Sequence, residues 1–387
     1  MRCIRITLLL GSCAMFLVAG TATAGLWEVL GNLSPEHASE AVAISADGSV
    51  IVGSSGTLEG QRAFRWTLET GIQALPMPPS VDVTMTWATD VSADGSTIVG
   101  YGGNNFGSRQ GWEGLIWQNS AIPSEIAVQD KGVWLHGVSG DGLVAVGSQH
   151  AVEAMTYSEA FRLPVGGTPT PLSGPLYTEG IVQSSAAAIS ADGQVIVGDI
   201  TQLDPIVRSG FRWTEATGMT PVGDFAVNAA SRDGSVVVGT VVVPGGEGFQ
   251  ACRWTDAEGV VPLGLFAEGF TSQALGVSGD GSRIVGFVEN MNTDLRQAFL
   301  WEEEMGMRLL QDVLHERYGF DLTGWSLTKA YAISDDGRTV VGRGYSPQGV
   351  DEAWRAVLAP EPGTVTLLAA GCVCGLALAY RRRHAKR

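Results

Sequence analysis

The sequence has few cysteines and no clustered metal ligands. Five cysteines occur in 387 residues, and only Cys252 lies between the two terminal segments described below. This count disfavours a disulfide framework. None of the five histidines stands at ligand spacing from another His or Cys. The chain also has no Gly-x-Ser-x-Gly elbow, phosphate loop or dinucleotide fingerprint. We therefore expect no cofactor and no metal, and we name no catalytic residue.

Basic residues are scarce in the middle of the chain. Seven of the 24 Lys and Arg lie in residues 1–24 and 364–387, which hold none of the 40 Asp and Glu. Residues 25–363 therefore carry 17 basic and 40 acidic residues, a balance of −23. Such a surface disfavours nucleic acid and anionic lipid as partners. It suits a protein solubilised outside the cell.

Residues 1–24 have the organisation of an export signal. A short basic head, MRCIR, precedes an apolar run that ends in Ala22-Thr23-Ala24. The small-x-small pattern predicts cleavage after Ala24. The alternatives are an uncleaved membrane anchor and a lipoprotein modified at Cys13. Both are disfavoured, because the apolar run is short for a span and very short ahead of Cys13.

Residues 359–387 carry a second membrane signal. Pro360, Glu361 and Pro362 precede an apolar stretch, 364–380, and five basic residues follow it. As a helix rising about 1.5 Å per residue, the stretch reaches about 25 Å, the short limit of a membrane span. The basic tail would stay cytoplasmic by the positive-inside rule. The sequence therefore predicts a C-terminal transmembrane helix that holds an exported body at the inner membrane.

A nine-residue marker recurs seven times between these segments. It reads Ser-x-Asp-Gly, then a β-branched run and a glycine, as in SADGSVIVG. The marker serines are Ser45, Ser92, Ser139, Ser190, Ser231, Ser278 and Ser334. Asp-Gly between β-branched runs predicts a tight hairpin turn, because glycine accepts a positive φ. Most turns offer a single aspartate, so we interpret these aspartates as turn residues rather than calcium ligands.

Each repeat is predicted to form four short strands. The marker supplies the first two. Val50, Ile51 and Val52 are apolar at successive positions, so the second strand is covered on both faces. A third strand, RAFRWT in the first repeat, places Phe64 and Trp66 on one face. A fourth strand follows a glycine turn, as in GIQALP.

Seven repeats of four strands predict an all-β, seven-bladed β-propeller over residues 25–358. A β-solenoid is the alternative. The last repeat ends at EAWRAVLAP without a fourth strand, whereas GLWEVLG at residues 25–31 is a fourth strand with no repeat before it. We therefore expect the first strand to complete the last blade. Closing the ring in this way removes the exposed sheet edges of an open array.

Two recurring third-strand positions have structural interpretations. Cys252 stands where other repeats carry Phe, so we expect a small core residue. The arginine after the aromatic recurs in five repeats, as Arg65, Arg162, Arg212, Arg253 and Arg355. We expect it to pair with an acidic or carbonyl group of the blade rather than with a ligand.

A helix interrupts the strand pattern before the seventh marker. Leu310, Val313, Leu314 and Tyr318 recur at helical spacing. This helix either caps one face of the ring or forms a lid over a binding site. The sequence leaves both open.

The repeated strands resemble the HAF-type extracellular repeat family. RAFRW and QAFLW strands joined to SADGSVIVG hairpins carry this resemblance over nearly all of residues 30–358. At the C-terminus, Pro-Glu-Pro followed by the apolar stretch and the arginines resembles the PEP-CTERM sorting signal. That resemblance implies recognition by a membrane exosortase, cleavage near the motif and transfer to the cell envelope or matrix. Neither resemblance implies a catalytic residue or a ligand.

The sequence favours a non-enzymatic binding or structural module at the cell surface or in the matrix. Its expected partners are the exosortase-type sorting machinery and exopolysaccharide or other surface proteins, with no nucleic acid. The alternative is a lyase or glycosidase acting on polysaccharide, which would need carboxylates, or a His and a Tyr, gathered from different blades. Trp112, Trp134 and Tyr157 could stack on sugar rings at a mouth of the ring, although packing in the core is the commoner role of such a residue.

Overall fold

The protein is described here by a computed structural model, over residues 25–80, 83–104, 112–128, 131–151, 158–172, 181–203, 206–243, 248–293 and 295–358. The predicted leader, the cleavage site at Ala24, the sorting motif at Pro360, Glu361 and Pro362 and the predicted C-terminal helix lie outside these residues. Over the described ranges, no helix is long and apolar enough to cross a membrane.

The described chain consists of β-strands and one α-helix. The first fourteen strands are β1 (Leu26–Val29), β2 (Ser39–Ile44), β3 (Val50–Thr57), β4 (Gly60–Thr67), β5 (Gly71–Ala74), β6 (Met85–Val91), β7 (Thr97–Gly103), β8 (Glu113–Gln118), β9 (Ser124–Ile126), β10 (Lys131–Val138), β11 (Val144–Ala151), β12 (Ser158–Pro164), β13 (Thr170–Pro171) and β14 (Ile181–Ile189). The remaining elements are β15 (Ile196–Leu203), β16 (Ile206–Thr214), β17 (Gly218–Gly223), β18 (Ala226–Ala230), β19 (Val237–Val242), β20 (Phe249–Thr255), β21 (Gly259–Pro262), β22 (Phe270–Val277), β23 (Arg283–Asn290), β24 (Arg296–Glu302), β25 (Gly306–Leu309), α1 (Leu310–Tyr318), β26 (Ser326–Ile333), β27 (Thr339–Tyr345) and β28 (Asp351–Val357).

The strands pair as antiparallel meanders, which confirms the all-β prediction. Repeats 1, 2, 5 and 6 are the four-stranded sheets β2–β5, β6–β9, β18–β21 and β22–β25. Repeats 3 (β10–β13) and 4 (β14–β17) join into one eight-stranded sheet through a single parallel pair, Ser158 with Gln183. Repeat 7 contains β26, β27 and β28, with β1 as the fourth strand of its sheet.

Each marker folds as the predicted hairpin turn. In repeat 1 the Ser45 hydroxyl donates to Asp47 Oδ1 at 2.8 Å, and the same oxygen accepts the Ser49 N–H at 2.9 Å. Gly48 takes a φ of +75°. The serine-to-aspartate bond recurs in all seven markers, at 2.6–2.9 Å. These aspartates are therefore engaged in their own turns, as expected of structural residues.

The first strand of every repeat contains a β-bulge, which the last glycine of the marker accommodates. In repeat 6 the register shifts between Ala274 and Gly276, so Leu275 has no partner in the ladder. The bulged backbone approaches Gly286 so closely that an added Cβ would lie 1.9 Å from the Gln273 carbonyl oxygen. At the six equivalent glycines this distance is 1.8–2.0 Å, namely at Gly53, Gly100, Gly147, Gly198, Gly239 and Gly342. A bulge redirects the extra residue, so each repeat turns one side chain out of its ladder.

The apolar core lies within and between successive sheets. The residues at positions 50–52 are at most 3% exposed, as predicted for a strand covered on both faces. Helix α1 buries Leu310, Val313 and Leu314 in a cluster shared with β24 and β26, between repeats 6 and 7. The predicted amphipathic helix is thus confirmed, and its apolar face is used for packing.

The first strand pairs with the last one. β1 is antiparallel to β28, with Trp27 opposite Ala356 and Val29 opposite Trp354. Glu28 accepts a hydrogen bond from Arg355 Nε at 2.8 Å. The pairing expected from the incomplete repeats at the two ends of the body is therefore present.

A cycle of backbone hydrogen bonds links the seven marker turns. The residue after each marker serine donates its N–H to the carbonyl of the equivalent residue in the next repeat, at 2.8–3.2 Å. The series runs through Ala46, Ala93, Gly140, Ala191, Arg232, Gly279 and Asp335. The last bond, from Asp335 N–H to the Ala46 carbonyl, is 3.2 Å long and returns the series to its first member.

Candidate functional site

One cavity of about 230 Å³ is lined by the first strand of all seven repeats. The bulged residue of each repeat faces it. In chain order these residues are Val42, Thr89, His136, Ala187, Asn228, Leu275 and Tyr331. Helix α1 contributes no residue to the described lining, which disfavours the lid interpretation. The same position therefore occurs seven times in the fold and holds a different residue type each time.

An aromatic cluster lies beside the cavity in repeats 2 and 3. Trp87 precedes the lining residue Thr89 by two positions and stacks on Tyr101 across the β6–β7 pair, with ring centroids 5.4 Å apart. Trp112 lies 5.4 Å from Trp87 and 6.1 Å from Trp134. All four of these rings are partly exposed. They form a continuous aromatic surface, which we call the aromatic cluster.

Two histidines share a serine next to this cluster. Ser148 Oγ lies 3.1 Å from His136 Nε2 and 3.0 Å from His150 Nε2. The His150 ring packs against Trp134 at 4.1 Å. Burial, together with the nearby His150, lowers the pKa of His136 to about 4. His136 is therefore a neutral imidazole on the cavity wall at neutral pH.

Asp90 is a half-buried acidic residue in the same wall. Its carboxylate accepts the Val91 N–H at 2.8 Å and the Val138 N–H at 2.9 Å, so it links the first strands of repeats 2 and 3. Burial raises the pKa of Asp90 to about 7, against the effect of these two hydrogen bonds. The nearby charge of Asp335 acts in the same direction as burial. The group therefore titrates close to neutral pH.

Asp90 is expected to make the protein less stable as the pH rises. Its folded pKa is about 7, whereas its ordinary value is 3.8, so between these values the folded state binds more protons than the unfolded state. Stability therefore falls from about pH 4 to about pH 7, by up to about 4 kcal/mol.

Alanine stands at the equivalent place in four other repeats, as in Ala43. Asp90→Ala is expected to reduce the difference in melting temperature between pH 5 and pH 8. Asp312→Ala, on the exposed side of α1, is the control. The assignment would be contradicted if the difference in melting temperature between pH 5 and pH 8 were the same in Asp90→Ala, in the control and in wild type.

A polar group joins the cavity-lining Tyr331 of repeat 7 to repeat 1. The Tyr331 hydroxyl donates to Glu40 Oε2 at 3.0 Å, and Arg343 forms an ion pair with the same oxygen at 3.4 Å. Burial and the charge of Glu40 raise the pKa of Tyr331 above its ordinary value. The same carboxylate raises the pKa of Tyr101 in the aromatic cluster, where burial has the larger effect. Glu40 is therefore hydrogen-bonded to Tyr331 and ion-paired with Arg343.

Three residues at the recurring third-strand positions, Arg355, Arg253 and Cys252, have structural roles. Arg355 pairs with Glu28 at 2.7 Å and covers the Trp66 ring of repeat 1 at 4.3 Å. Arg253 pairs with Glu258 at 3.0 Å, so the expected acidic partner is confirmed at these two positions. Cys252 is buried, and burial raises the pKa of its thiol to about 12. It is therefore an unreactive core residue, as predicted.

Two of the aromatic residues singled out from the sequence, Trp112 and Trp134, lie together in the aromatic cluster, while Tyr157 lies outside the described residues. The sequence did not indicate His136, Asp90 or Tyr331. Each occupies a position that repeats in the fold but varies in residue type, so only an alignment of the seven copies on the bulge could have identified it. Across the described ranges, no three His, Cys, Asp or Glu side chains gather as a metal site.

Comparison with known proteins identifies the fold. No family model and no curated protein matches the chain. Among solved structures, an oligogalacturonate lyase in complex with manganese aligns at 12% identity and a TM-score of 0.54, over 87% of this chain and 97% of that one. The fold is that of a β-propeller. A prolyl endopeptidase aligns at 13% identity and 0.55, over 84% of this chain, and prolyl oligopeptidase B from Galerina marginata at 9% and 0.53, over 83%. The match covers about half of each peptidase, 48% and 47% of their lengths. At these identities the likeness concerns the fold alone.

Proposed function

We propose that residues 25–358 form a seven-bladed propeller whose ring is closed by β1. Three observations support this architecture. β1 supplies the fourth strand of the β26–β28 sheet. The backbone bonds between marker turns return from Asp335 to Ala46. One cavity is lined by the first strand of all seven repeats. A closed ring holds the variable lining residues in fixed positions, which a binding site requires.

We propose that the protein is exported and sorted to the cell envelope or matrix. The leader with its cleavage pattern at Ala24 and the PEP-CTERM-like segment at Pro360, Glu361 and Pro362 support this localisation. The partners are an exosortase-type machinery and, before processing, the inner membrane. The intact mass of the surface form should lack residues 1–24 and the basic tail. Full-length chain in the inner membrane would instead indicate a permanent anchor.

We propose that the propeller is a non-enzymatic module that binds extracellular polysaccharide. The observation that carries this proposal is the aromatic cluster, in which Trp87, Tyr101, Trp112 and Trp134 expose ring surface together beside the cavity. Sugar rings present flat C–H faces that pack on aromatic rings, and neighbouring hydroxyls bond to polar groups at the edge. His136 and Glu40 supply such polar groups here.

Loss of aromatic surface is expected to weaken glycan binding. On a glycan array, residues 25–358 should bind selected polysaccharides saturably and leave their mass unchanged. The double variant Trp87→Ala, Trp112→Ala should weaken binding at least tenfold, because each aromatic contact contributes about 0.5–1.5 kcal/mol beyond its buried area. Phe249→Ala is the matched control, since Phe249 is an exposed ring in another repeat. Equal binding by the double variant and the control would contradict the proposal.

An enzyme acting on polysaccharide is the second candidate. It is favoured by one observation, that a neutral His136 from repeat 3 and Tyr331 from repeat 7 line the same cavity. A lyase needs a general base and a general acid within reach of one sugar ring, and a His and a Tyr can take these roles. Time-dependent shortening of a bound glycan, abolished by His136→Gln, would establish this function in place of the binding module.

A further inference from the structure

Lys329 and Arg343 form a like-charge pair at the edge of the cavity. They lie directly opposite each other on β26 and β27. Lys329 is two positions before the lining residue Tyr331. Like charges at directly opposed positions destabilise an antiparallel pair. The equivalent pairs in the other repeats carry no such repulsion, for they are Glu40–Ser54, Trp87–Tyr101, Trp134–Ser148, Ser185–Asp199, Ala226–Thr240 and Gln273–Phe287.

The two cations of this pair are in different situations. Arg343 has carboxylate partners in Glu40, at 3.4 Å, and Asp351, at 3.6 Å. Arg296, the next cation along the wall, pairs with Glu289 at 2.8 Å. The ammonium of Lys329 has no carboxylate within 4.0 Å among the described residues. It is the cation of this wall that remains available to an incoming anion.

The Lys329 ammonium is held in place by aromatic rings. It lies 4.8 Å from the centre of the Phe287 ring and 5.6 Å from that of Tyr331, within the range of cation–π attraction. Burial lowers the pKa of Lys329, and the charges of Arg343 and Arg296 lower it further, whereas the charges of Glu40 and Glu289 raise it by smaller amounts. An anion bound beside the ammonium would offset the repulsion from these two cations. The fold therefore holds two like charges next to each other, and a negatively charged ligand would reduce the repulsion between them.

We propose that Lys329 binds the anionic group of an acidic polysaccharide whose sugar rings pack on the aromatic cluster. The shared chemistry is a carboxylate or sulfate carried on a sugar. The two parts of this site lie on either side of repeat 1. Glu40 occupies in β2 the position that Lys329 occupies in β26 and Trp87 in β6, and β2 packs against both of these strands. The proposal rests on the proposed glycan-binding function and narrows its ligand class.

The test compares three glycans on the full chain in mild detergent. They are a polyuronate, a sulfated glucan and the unsulfated glucan of the same length, titrated at low and at physiological salt. Wild type should bind at least one anionic glycan more tightly than the neutral one. Lys329→Gln should weaken anionic binding about tenfold, as for a lost charge-assisted hydrogen bond, and should leave neutral binding unchanged. Its salt dependence should also fall, because one screened charge contact is gone.

The variant is suited to this test because it removes a repulsion together with a cation–π contact, so its melting temperature should stay close to that of wild type. Arg338→Gln is the matched control, as it removes an exposed cation next to the seventh marker turn, away from Lys329. Equal loss of anionic binding in both variants would overturn the site. Binding of the neutral glucan alone would overturn the anionic selectivity and leave the proposed function standing. Absence of all glycan binding would contradict both. Preference for the polyuronate or for the sulfated glucan identifies the source of the anion.

Discussion

Deletion of residues 25–31 from the chain is expected to lower the melting temperature by at least about 10 °C and to cause association. The deletion removes the strand that pairs with β28 and the Trp27 ring, which lies 5.4 Å from Trp354 and 5.6 Å from Trp325. It also removes the partner of the buried Arg355 guanidinium. Loss of an aromatic contact, a buried ion pair and several backbone bonds amounts to about 5 kcal/mol or more. The exposed edge of β28 would then pair with other molecules.

Two substitutions separate the contributions of the ion pair and the strand. Glu28→Arg should destabilise the protein, since Arg355 is only 6% exposed and would face a like charge. Adding Arg355→Glu to that variant should recover part of the loss, which a double-mutant cycle measures. Thermal melting together with light scattering follows both effects. An unchanged melting temperature in the deletion variant would contradict closure by β1.

The strands of the repeat could be predicted because local chemistry determines them. The Asp-Gly turn, the β-branched run and the aromatic third strand each have a physical preference that acts over a few residues. The sequence also indicated the pairing of β1 with β28, since one end of the body had a spare strand where the other lacked one. Here local preference and global topology agree, which is typical of a well-specified fold.

The candidate site could not be predicted, because it is made by convergence rather than by a motif. His136 and Tyr331 are 195 positions apart, and each occurs once at its place in the repeat. The bulge brings them to one wall. The residue types at the bulged position share no conformational preference from which the bulge could be predicted. Repetition therefore identified the scaffold, whereas the residues that break the repetition form the site.

The glycine that ends each marker is the sequence signal for that bulge, and its substitution is expected to have the largest effect of any single change. In Gly286→Ala the added Cβ would lie 1.9 Å from the Gln273 carbonyl oxygen and 2.9 Å from Phe299 Cε1. Backbone cannot yield at that distance without losing the β22–β23 pairing, so we expect destabilisation above about 4 kcal/mol or failure to fold.

Gly306→Ala in the same repeat is the control. Its φ is +68° and the added Cβ would meet no atom within 4 Å, so it should cost only about 1–2 kcal/mol of left-handed strain. Denaturant unfolding of the two variants measures the difference. Equal, small losses would show that the bulge of repeat 6, and with it the placement of Leu275 on the cavity wall, does not require this glycine.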